Sequence, residues 1–168
     1  MNQFQKITPD QITQNTFQLI GSDWMLVTAQ NKDIVNTMTA SWGGLGTMWG
    51  KNVAYVTLRP QRYTKELVDA TDTFSLTFFD SEYKRKLSYL GSVSGRDEDK
   101  IKKAGLTVAI QENTPYFTEG KLVLICKKLF AQPYDPNCFI DETLRTKWYP
   151  EEDYHTMYIV EIIDVLTK

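Results

Sequence analysis

The sequence has 168 residues, with 19 Lys and Arg against 21 Asp and Glu and a net charge of −2 at pH 7. We expect residues 1–168 to form a single domain, large enough to bury a core without a metal or disulfide. Hydrophobic residues make up 42% and charged residues 24%, a globular composition that argues against disorder. Without a basic excess the chain cannot attract polyanions by bulk charge, so we expect neither nucleic-acid nor membrane binding.

The chain also lacks the sequence features of secretion and of metal binding. Its first residues contain no basic stretch followed by an apolar run, so we expect no secretory signal. Cys126 and Cys138 form no CxxC motif, and His155 is the single histidine. We therefore expect reduced thiols, no metal site and a cytoplasmic protein.

Alternating and β-branched segments predict strands in the first half of the chain, at residues 24–29, 34–40, 52–58 and 73–79. Gly43, Gly44 and Gly46 interrupt this pattern, which indicates a loop, a bulge or a backbone that approaches another group closely. Residues 65–70 are predicted to form a short helix with Thr64 as its N-cap.

The second half of the chain predicts two short helices and then more strands. The helices cover residues 81–90 and 97–104, and Gly105 ends the second one. The strands cover residues 106–110, 121–130 and 156–166, and the last is apolar on both faces, as a central strand would be. Many antiparallel strands with short helices between them predict an all-β barrel with inserted short helices.

Three segments of the sequence suit a ligand with a phosphate at one end and a flat polar ring at the other. Residues 36–44 (NTMTASWGG) bring hydroxyls and small residues to a strand end. Residues 59–64 (RPQRYT) place two arginines before a helix N-terminus, where the dipole and free N–H groups favour an anion. Residues 94–100 (SGRDEDK) add cations and a hydroxyl beside a glycine.

We expect the phosphate to bind Arg62, Thr64 and the helix N-terminus. The backbone of residues 37–41 would bond the ring edge, since the buried edge of a heterocycle needs paired donors and acceptors. Trp42 would cover a ring face. Each residue also has an ordinary explanation, because arginines form surface ion pairs, threonines are common in strands, and tryptophans often pack in cores or interfaces.

These three segments, followed by DYHTMYIVEI at residues 153–162, resemble the flavin reductase-like family in order and approximate spacing. The resemblance covers residues 16–165, and the flavoredoxin-type branch is the most similar. It implies an FMN-binding split β-barrel and a homodimer with FMN near the subunit interface. It also implies hydride transfer from NAD(P)H through FMN to flavin or a small electron acceptor.

The resemblance assigns roles to individual residues. Those lining the flavin ring would be Thr37, Met38, Thr39, Ala40, Ser41 and Trp42. Those near the ribityl chain and phosphate would be Arg59, Arg62, Tyr63 and Thr64, with Ser94, Arg96 and Lys100 as further contacts. His155 matches the family's histidine before the last strand, near the nicotinamide, and is the expected catalytic residue.

The chain departs from the family pattern at two places. Val160 stands where the family usually has a glycine, and residues 133–150, including Cys138, Trp148 and Tyr149, match no family motif. We expect this stretch to cover the ring face where a nicotinamide would stack. Three hypotheses therefore stay open: an NAD(P)H-dependent FMN oxidoreductase, a non-catalytic FMN protein that carries electrons between redox protein partners, and a split barrel whose flavin site has decayed.

Overall fold

A computed structural model describes residues 3–168 of the chain. Short 3-10 and π-helical turns connect some of the regular elements. The strands and α-helices are, in chain order, β1 (Gln5–Ile7), β2 (Met25–Asn31), β3 (Ile34–Ala40), β4 (Gly43–Met48), β5 (Lys51–Leu58), α1 (Tyr63–Ala70), β6 (Thr73–Phe78), α2 (Lys84–Ser92), α3 (Lys100–Ala104), β7 (Val108–Gln111), β8 (Thr114–Phe117), β9 (Leu122–Pro133), α4 (Glu142–Trp148) and β10 (Thr156–Thr167).

One antiparallel sheet organises the fold, in the order β3-β2-β6-β9-β10-β5-β4, with β1 paired to β10. Strand β10 lies between β9 and β5, which confirms the prediction that the last strand is central. The two end strands both reach the same core, because Met38 of β3 and Leu45 of β4 pack against it. The sheet therefore curls around this core, and the predicted all-β split barrel with short inserted helices is confirmed.

The glycine-rich segment forms a strand, so the expectation of a loop there is wrong. Strand β4 pairs with β5 along its whole length, with Gly43 opposite Val56 and Gly44 opposite Tyr55. The alternative expectation of a close approach is confirmed. A Cβ at Gly43 would lie 2.3 Å from the Tyr55 carbonyl oxygen, and one at Gly44 would lie 2.3 Å from the Tyr55 ring. Glycine lets β4 lie against a strand that carries a large ring.

Helix α1 begins earlier than predicted. Its N-cap is Arg62, so the prediction that Thr64 caps the helix is wrong. The Thr64 hydroxyl is used elsewhere, since it is buried and accepts a hydrogen bond of 3.0 Å from the Asn36 side chain on β3. A contact between residues far apart in the sequence has replaced the local cap.

Helices α2 and α3 cover a second apolar cluster on the other side of β2. Helix α3 is shorter than predicted because Asp99 caps it, accepting a hydrogen bond of 3.1 Å from the Lys102 amide. Gly105 ends the helix with a φ of 62°, as predicted from the sequence.

Strand β8 and helix α4 were not predicted. Helix α4 has seven residues and buries none of its side chains, so it lacks the apolar periodicity that marks a helix in a sequence. Cys126 is buried in β9, Cys138 is exposed, and both are free thiols. No helix within residues 3–168 is both long enough and apolar enough to cross a membrane.

The barrel core should tolerate truncation poorly. Phe74 of β6 is 0% exposed and packs edge-to-face on Tyr158, with the ring centroids 6.4 Å apart. We expect Phe74→Ala to lower the free energy of unfolding by about 3–5 kcal/mol, measured by urea denaturation. Phe17→Ala is the matched control, because Phe17 is 89% exposed and its loss should change stability by less than about 0.5 kcal/mol. Equal effects of the two changes would contradict this placement of the core.

Candidate functional site

Two adjoining cavities form one cleft beside strand β3. The first, here called the cationic end, has a volume of about 350 Å³ and is bounded by β3, the start of α1 and the loop between α2 and α3. The second, here called the aromatic end, has about 270 Å³ and is bounded by residues 38–42 and by side chains from Thr57, Trp148 and His155. Met38, Arg59 and Arg62 line both cavities, so the two ends adjoin each other.

Lys100 brings a buried positive charge to the cationic end. Its ammonium donates to the carbonyl oxygens of Leu90 and Val93, each at 2.8 Å, where helix α2 ends. Cations are favoured there because the carbonyl groups of a helix C-terminus carry partial negative charge. Burial, followed by the charge of Arg62, lowers the pKa of Lys100 to about 8.

Arg62 places a second cation in the same cavity. Its guanidinium donates to the carbonyl oxygen of Gly91 at 2.6 Å. Burial, and then the charge of Arg59, lowers the pKa of Arg62. Within the described residues neither Arg62 nor Lys100 forms a salt bridge. Two neighbouring cations without a carboxylate make the cationic end suited to an anion.

The floor of the cationic end depends on a close contact at Gly95. A Cβ at this position would lie 2.1 Å from Oδ1 of Asn36, whose side chain bonds Thr64 at 3.0 Å. Ser94 lines the same cavity and accepts a hydrogen bond of 3.2 Å from the Arg96 amide. Tyr63 and Thr64 add the N-terminus of α1, an eight-residue helix, to the lining.

Two sequence-predicted residues do not line the cleft. Thr37 is buried, and its hydroxyl donates to the Val27 carbonyl at 3.0 Å inside the β2–β3 pair. Arg96 forms a salt bridge with Glu66, and its guanidinium stacks over the Tyr63 ring at 4.6 Å. Arg96 therefore packs against Tyr63, which lines the cationic end, but does not line the cavity itself.

The other sequence-predicted residues all reach the cleft. At the cationic end are Arg59, Arg62, Tyr63, Thr64, Ser94 and Lys100, and at the aromatic end are Met38, Thr39, Ala40, Ser41, Trp42 and His155. Thr39 also fixes the cleft wall, because its hydroxyl donates to the Leu87 carbonyl at 2.5 Å and so ties β3 to α2.

Aromatic side chains enclose the other end of the cleft. Trp42 packs edge-to-face on Trp148, with ring centroids 4.9 Å apart, and lies 5.0 Å from the His155 ring. Thr57 also lines this end, and its buried hydroxyl has no hydrogen-bond partner among the described residues. A buried hydroxyl without a partner at a cavity wall favours a polar ligand atom there.

His155 is held by its neighbours at the aromatic end. Its Nδ1 lies 2.7 Å from the Tyr149 hydroxyl. Burial, followed by the charge of Arg59, lowers the pKa of His155 to about 4, so the imidazole is neutral at pH 7.

Arg59 is directed mainly toward the segment of residues 148–155. It forms a salt bridge with Asp153, donates to the Trp148 carbonyl at 2.9 Å, and lies over the Tyr149 ring at 5.1 Å from the centroid. Gln61 also donates to Asp153, at 2.9 Å. These bonds fasten the segment to the loop between β5 and α1.

Within the predicted covering stretch 133–150, Trp148 is the side chain that reaches the cleft. Cys138 instead lines a separate apolar cavity of about 320 Å³ with Tyr134 and Phe139. Sequence reasoning gave no individual role to Asn36, Thr57, Gln61 and Asp153, although Gln61 lies within the predicted binding segment 59–64. Asn36 and Asp153 begin two of the segments that carry the family resemblance, whereas nothing in the sequence marks Thr57.

Comparisons with known proteins identify the family and the fold of the chain. Residues 17–168 match the model of the flavin reductase like domain, and the chain belongs to this family. No curated protein matches the chain.

Several solved structures have the same fold. One is the FMN-binding domain of a flavin reductases-like enzyme from Shewanella baltica OS155, with 18% identity, a TM-score of 0.71, and coverage of 99% of this chain and 78% of that one. The flavoredoxin of Desulfovibrio vulgaris (Miyazaki F) has 22% identity, a TM-score of 0.68, and coverage of 96% and 77%. An FMN-binding protein from Thermus thermophilus with bound p-hydroxybenzaldehyde has 18% identity, a TM-score of 0.67, and coverage of 100% and 81%.

The contact at Gly95 gives a prediction about the cleft floor. We expect Gly95→Ala to lower the free energy of unfolding by about 1–3 kcal/mol, because the new methyl group would collide with a buried and hydrogen-bonded Asn36. Gly46→Ala is the control, since within the described residues no atom beyond its two chain neighbours lies within 4 Å of the added Cβ. Urea denaturation measures both changes, and an unchanged Gly95→Ala midpoint would show that the floor is not packed in this way.

Proposed function

We propose that the cleft binds FMN and that the protein is an FMN-dependent oxidoreductase, which uses NAD(P)H to reduce flavin or a small electron acceptor. The observation that carries this proposal is the pair of unneutralised cations, Arg62 and Lys100, in a cleft that continues into an aromatic cavity. Membership of the flavin reductase like domain family supports it, as do structural relatives that are named as FMN-binding proteins.

The residues present fit both ends of FMN. Arg62, Lys100 and the N-terminal N–H groups of α1 would hold the phosphate. At the aromatic end, the unpartnered Thr57 hydroxyl and the backbone of residues 38–42 would bond the polar edge of the ring system. Strand β3 ends the sheet path, so one of its edges keeps backbone groups that no neighbouring strand uses.

Bound FMN itself supplies the hydride and electron transfer chemistry. The task of the chain is to bind it, orient it and keep water away. Trp42, Trp148 and the buried His155 would exclude water from the aromatic end. Neutral His155 does not add a third positive charge next to Arg59 and Arg62.

A second candidate is an FMN protein that exchanges electrons with redox protein partners and does not use NAD(P)H. The edge-to-face packing of Trp148 on Trp42 favours it, because this contact narrows the aromatic end where a nicotinamide would have to enter. Anaerobic mixing with NADH or NADPH separates the two candidates. Rapid bleaching of the flavin absorption supports the first, and stable absorption supports the second.

We also propose that the protein is a homodimer. Tyr55, Ile159 and Phe130 lie directly opposite one another across β5, β10 and β9. Tyr55 and Phe130 belong to an exposed apolar patch, and Trp49 packs 6.2 Å from the Phe130 ring. Aromatic surface of this kind is typical of an interface, and a second copy of the chain would cover it. The patch consists of Trp49, Tyr55 and Phe130.

Removal of one cation should weaken FMN binding. We expect Arg62→Ala to reduce the binding free energy by about 1.5–3 kcal/mol, the size of a charge-assisted hydrogen bond, which is roughly a 10- to 150-fold rise in Kd. Titration with FMN, followed by flavin fluorescence, measures the change. Arg85→Ala is the control because Arg85 is exposed on α2 and does not line the cleft. An unchanged Kd for Arg62→Ala would remove Arg62 from the site.

The apolar patch gives a separate prediction about assembly. We expect a dimer at micromolar concentration in analytical ultracentrifugation, and a shift to monomer in Phe130→Asp, because a buried unpaired carboxylate destabilises an interface. Ile110→Asp introduces the same charge at an exposed apolar residue of the small β7–β8 sheet and should leave the dimer intact. A wild-type protein that sediments as a monomer would contradict the homodimer.

A further inference from the structure

His155 is surrounded on several sides at the aromatic end. The rings of Trp42, Tyr134 and Tyr149 lie 5.0, 6.3 and 5.6 Å from its ring centroid. The charged groups that act on it are Arg59, Arg62 and Asp153. These residues come from four separate connecting segments of the chain, so the environment of the imidazole is set by the tertiary fold.

The Tyr149 hydroxyl determines which nitrogen of His155 carries the hydrogen. Tyr149 is 4% exposed, and its hydroxyl makes one hydrogen bond within the described residues, the 2.7 Å contact with Nδ1. Burial raises the pKa of Tyr149 to about 12, so the phenol keeps its proton at pH 7. If Nδ1 donated, the buried phenol proton would have no acceptor, and such a group is costly. Tyr149 therefore donates to Nδ1, and the imidazole hydrogen lies on Nε2.

Arg59 acts on His155 in two ways. Its charge opposes a second positive charge on the imidazole. Its bonds to Asp153 and to the Trp148 carbonyl also hold the residues on either side of Tyr149. The Nε2 atom of His155 makes no hydrogen bond within the described residues, while the side chain lines the aromatic end.

We propose that Tyr149 and Arg59 are positioning residues that hold His155 as a neutral imidazole, whose Nε2–H donates a hydrogen bond to a carbonyl-type acceptor atom of the molecule bound at the aromatic end. The proposal rests on the proposed function, since it names the group that recognises the electron donor, the electron acceptor or the flavin edge. The proposal predicts that the aromatic end binds molecules with a hydrogen-bond acceptor atom more tightly than molecules that need a positively charged histidine as their partner. The unpartnered Thr57 hydroxyl in the same wall would supply a second polar contact.

The single histidine of the chain allows a direct test by NMR without FMN. The ¹⁵N shifts of the imidazole distinguish the Nε2–H from the Nδ1–H tautomer, and their pH dependence gives the pKa. In the wild-type protein we expect the Nε2–H tautomer and a pKa near 4, well below the ordinary 6.5. A wild-type Nδ1–H tautomer, or a pKa near 6.5, would overturn the proposal without any variant.

Two sets of variants then separate positioning from a general structural role. Tyr149→Phe should give a mixture of tautomers and a higher pKa, because donation to Nδ1 stabilises the neutral ring. Tyr154→Phe is the control, since it removes a buried hydroxyl that has no hydrogen-bond partner among the described residues and keeps the ring that packs 5.1 Å from Tyr149. Arg59→Met should move the His155 pKa toward 6.5, Arg59→Lys should keep it low, and Arg85→Met on the surface should not change it. Unchanged shifts in both Tyr149→Phe and Arg59→Met would overturn the assignment of these residues.

The outcome is distinguishable from failure of the proposed function. FMN binding is measured separately by fluorescence titration of the same samples. If FMN does not bind, the proposed function fails while the expected NMR result still supports the positioning of His155. If FMN binds and the imidazole is cationic or has the other tautomer, the positioning fails and the proposed function stands.

Discussion

Lys100 and Arg62 hold two positive charges next to each other, and the groups that satisfy them are carbonyl oxygens at the end of helix α2. Burial of a charge is unfavourable unless it is paired or well hydrogen-bonded, and like charges add repulsion. Carbonyl dipoles offset part of this penalty, but a bound anion would offset more. The fold therefore maintains an electrostatic imbalance that a phosphate group would relieve, and this imbalance is the physical basis of the proposed function.

The surrounding structure fixes the position of these charges. Helix α2 is tied to β3 through Thr39 and the Leu87 carbonyl, which keeps the end of α2 beside the cleft. The floor is set by the contact between Gly95 and Asn36. On the opposite side, Arg59 and Asp153 fasten the segment that carries Trp148 and His155. A site whose walls are fixed on both sides by such contacts needs little reorganisation when a ligand binds.

Much of the fold follows from local sequence patterns, while the exceptions follow from contacts between distant residues. Alternation predicted β3 with its observed bounds, and the two-sided apolar pattern of β10 predicted its central position. The glycines of β4 were predicted to interrupt the strand pattern. The Tyr55 carbonyl and ring, which leave room only for glycine, lie on another strand and are not visible in a local pattern. Thr64 was predicted to cap helix α1 because it is a typical capping residue next to a helical segment. A local pattern could not show that its hydroxyl bonds Asn36, which is 28 residues away.

The same limit applies to the candidate site. The sequence predicted which segments meet, and twelve of the predicted residues line the cleft. It could not predict that Arg96 would pair with Glu66, or that Arg59 would be directed to Asp153, because each ion pair depends on the tertiary fold. Alternation along β3 places Thr37 on the opposite face from Asn36 and Met38. Thr39 shares the face of Thr37 and still lines the cleft, so alternation alone does not identify the residue that turns away.

A comparison of FMN with riboflavin, which lacks the phosphate, tests the role of the two cations most directly. Fluorescence titration of the wild-type protein with each compound gives the two Kd values. We expect FMN to bind at least about tenfold more tightly, because charge-assisted hydrogen bonds to Arg62 and Lys100 contribute about 1.5–3 kcal/mol. Equal affinities would contradict an anion site in the cleft.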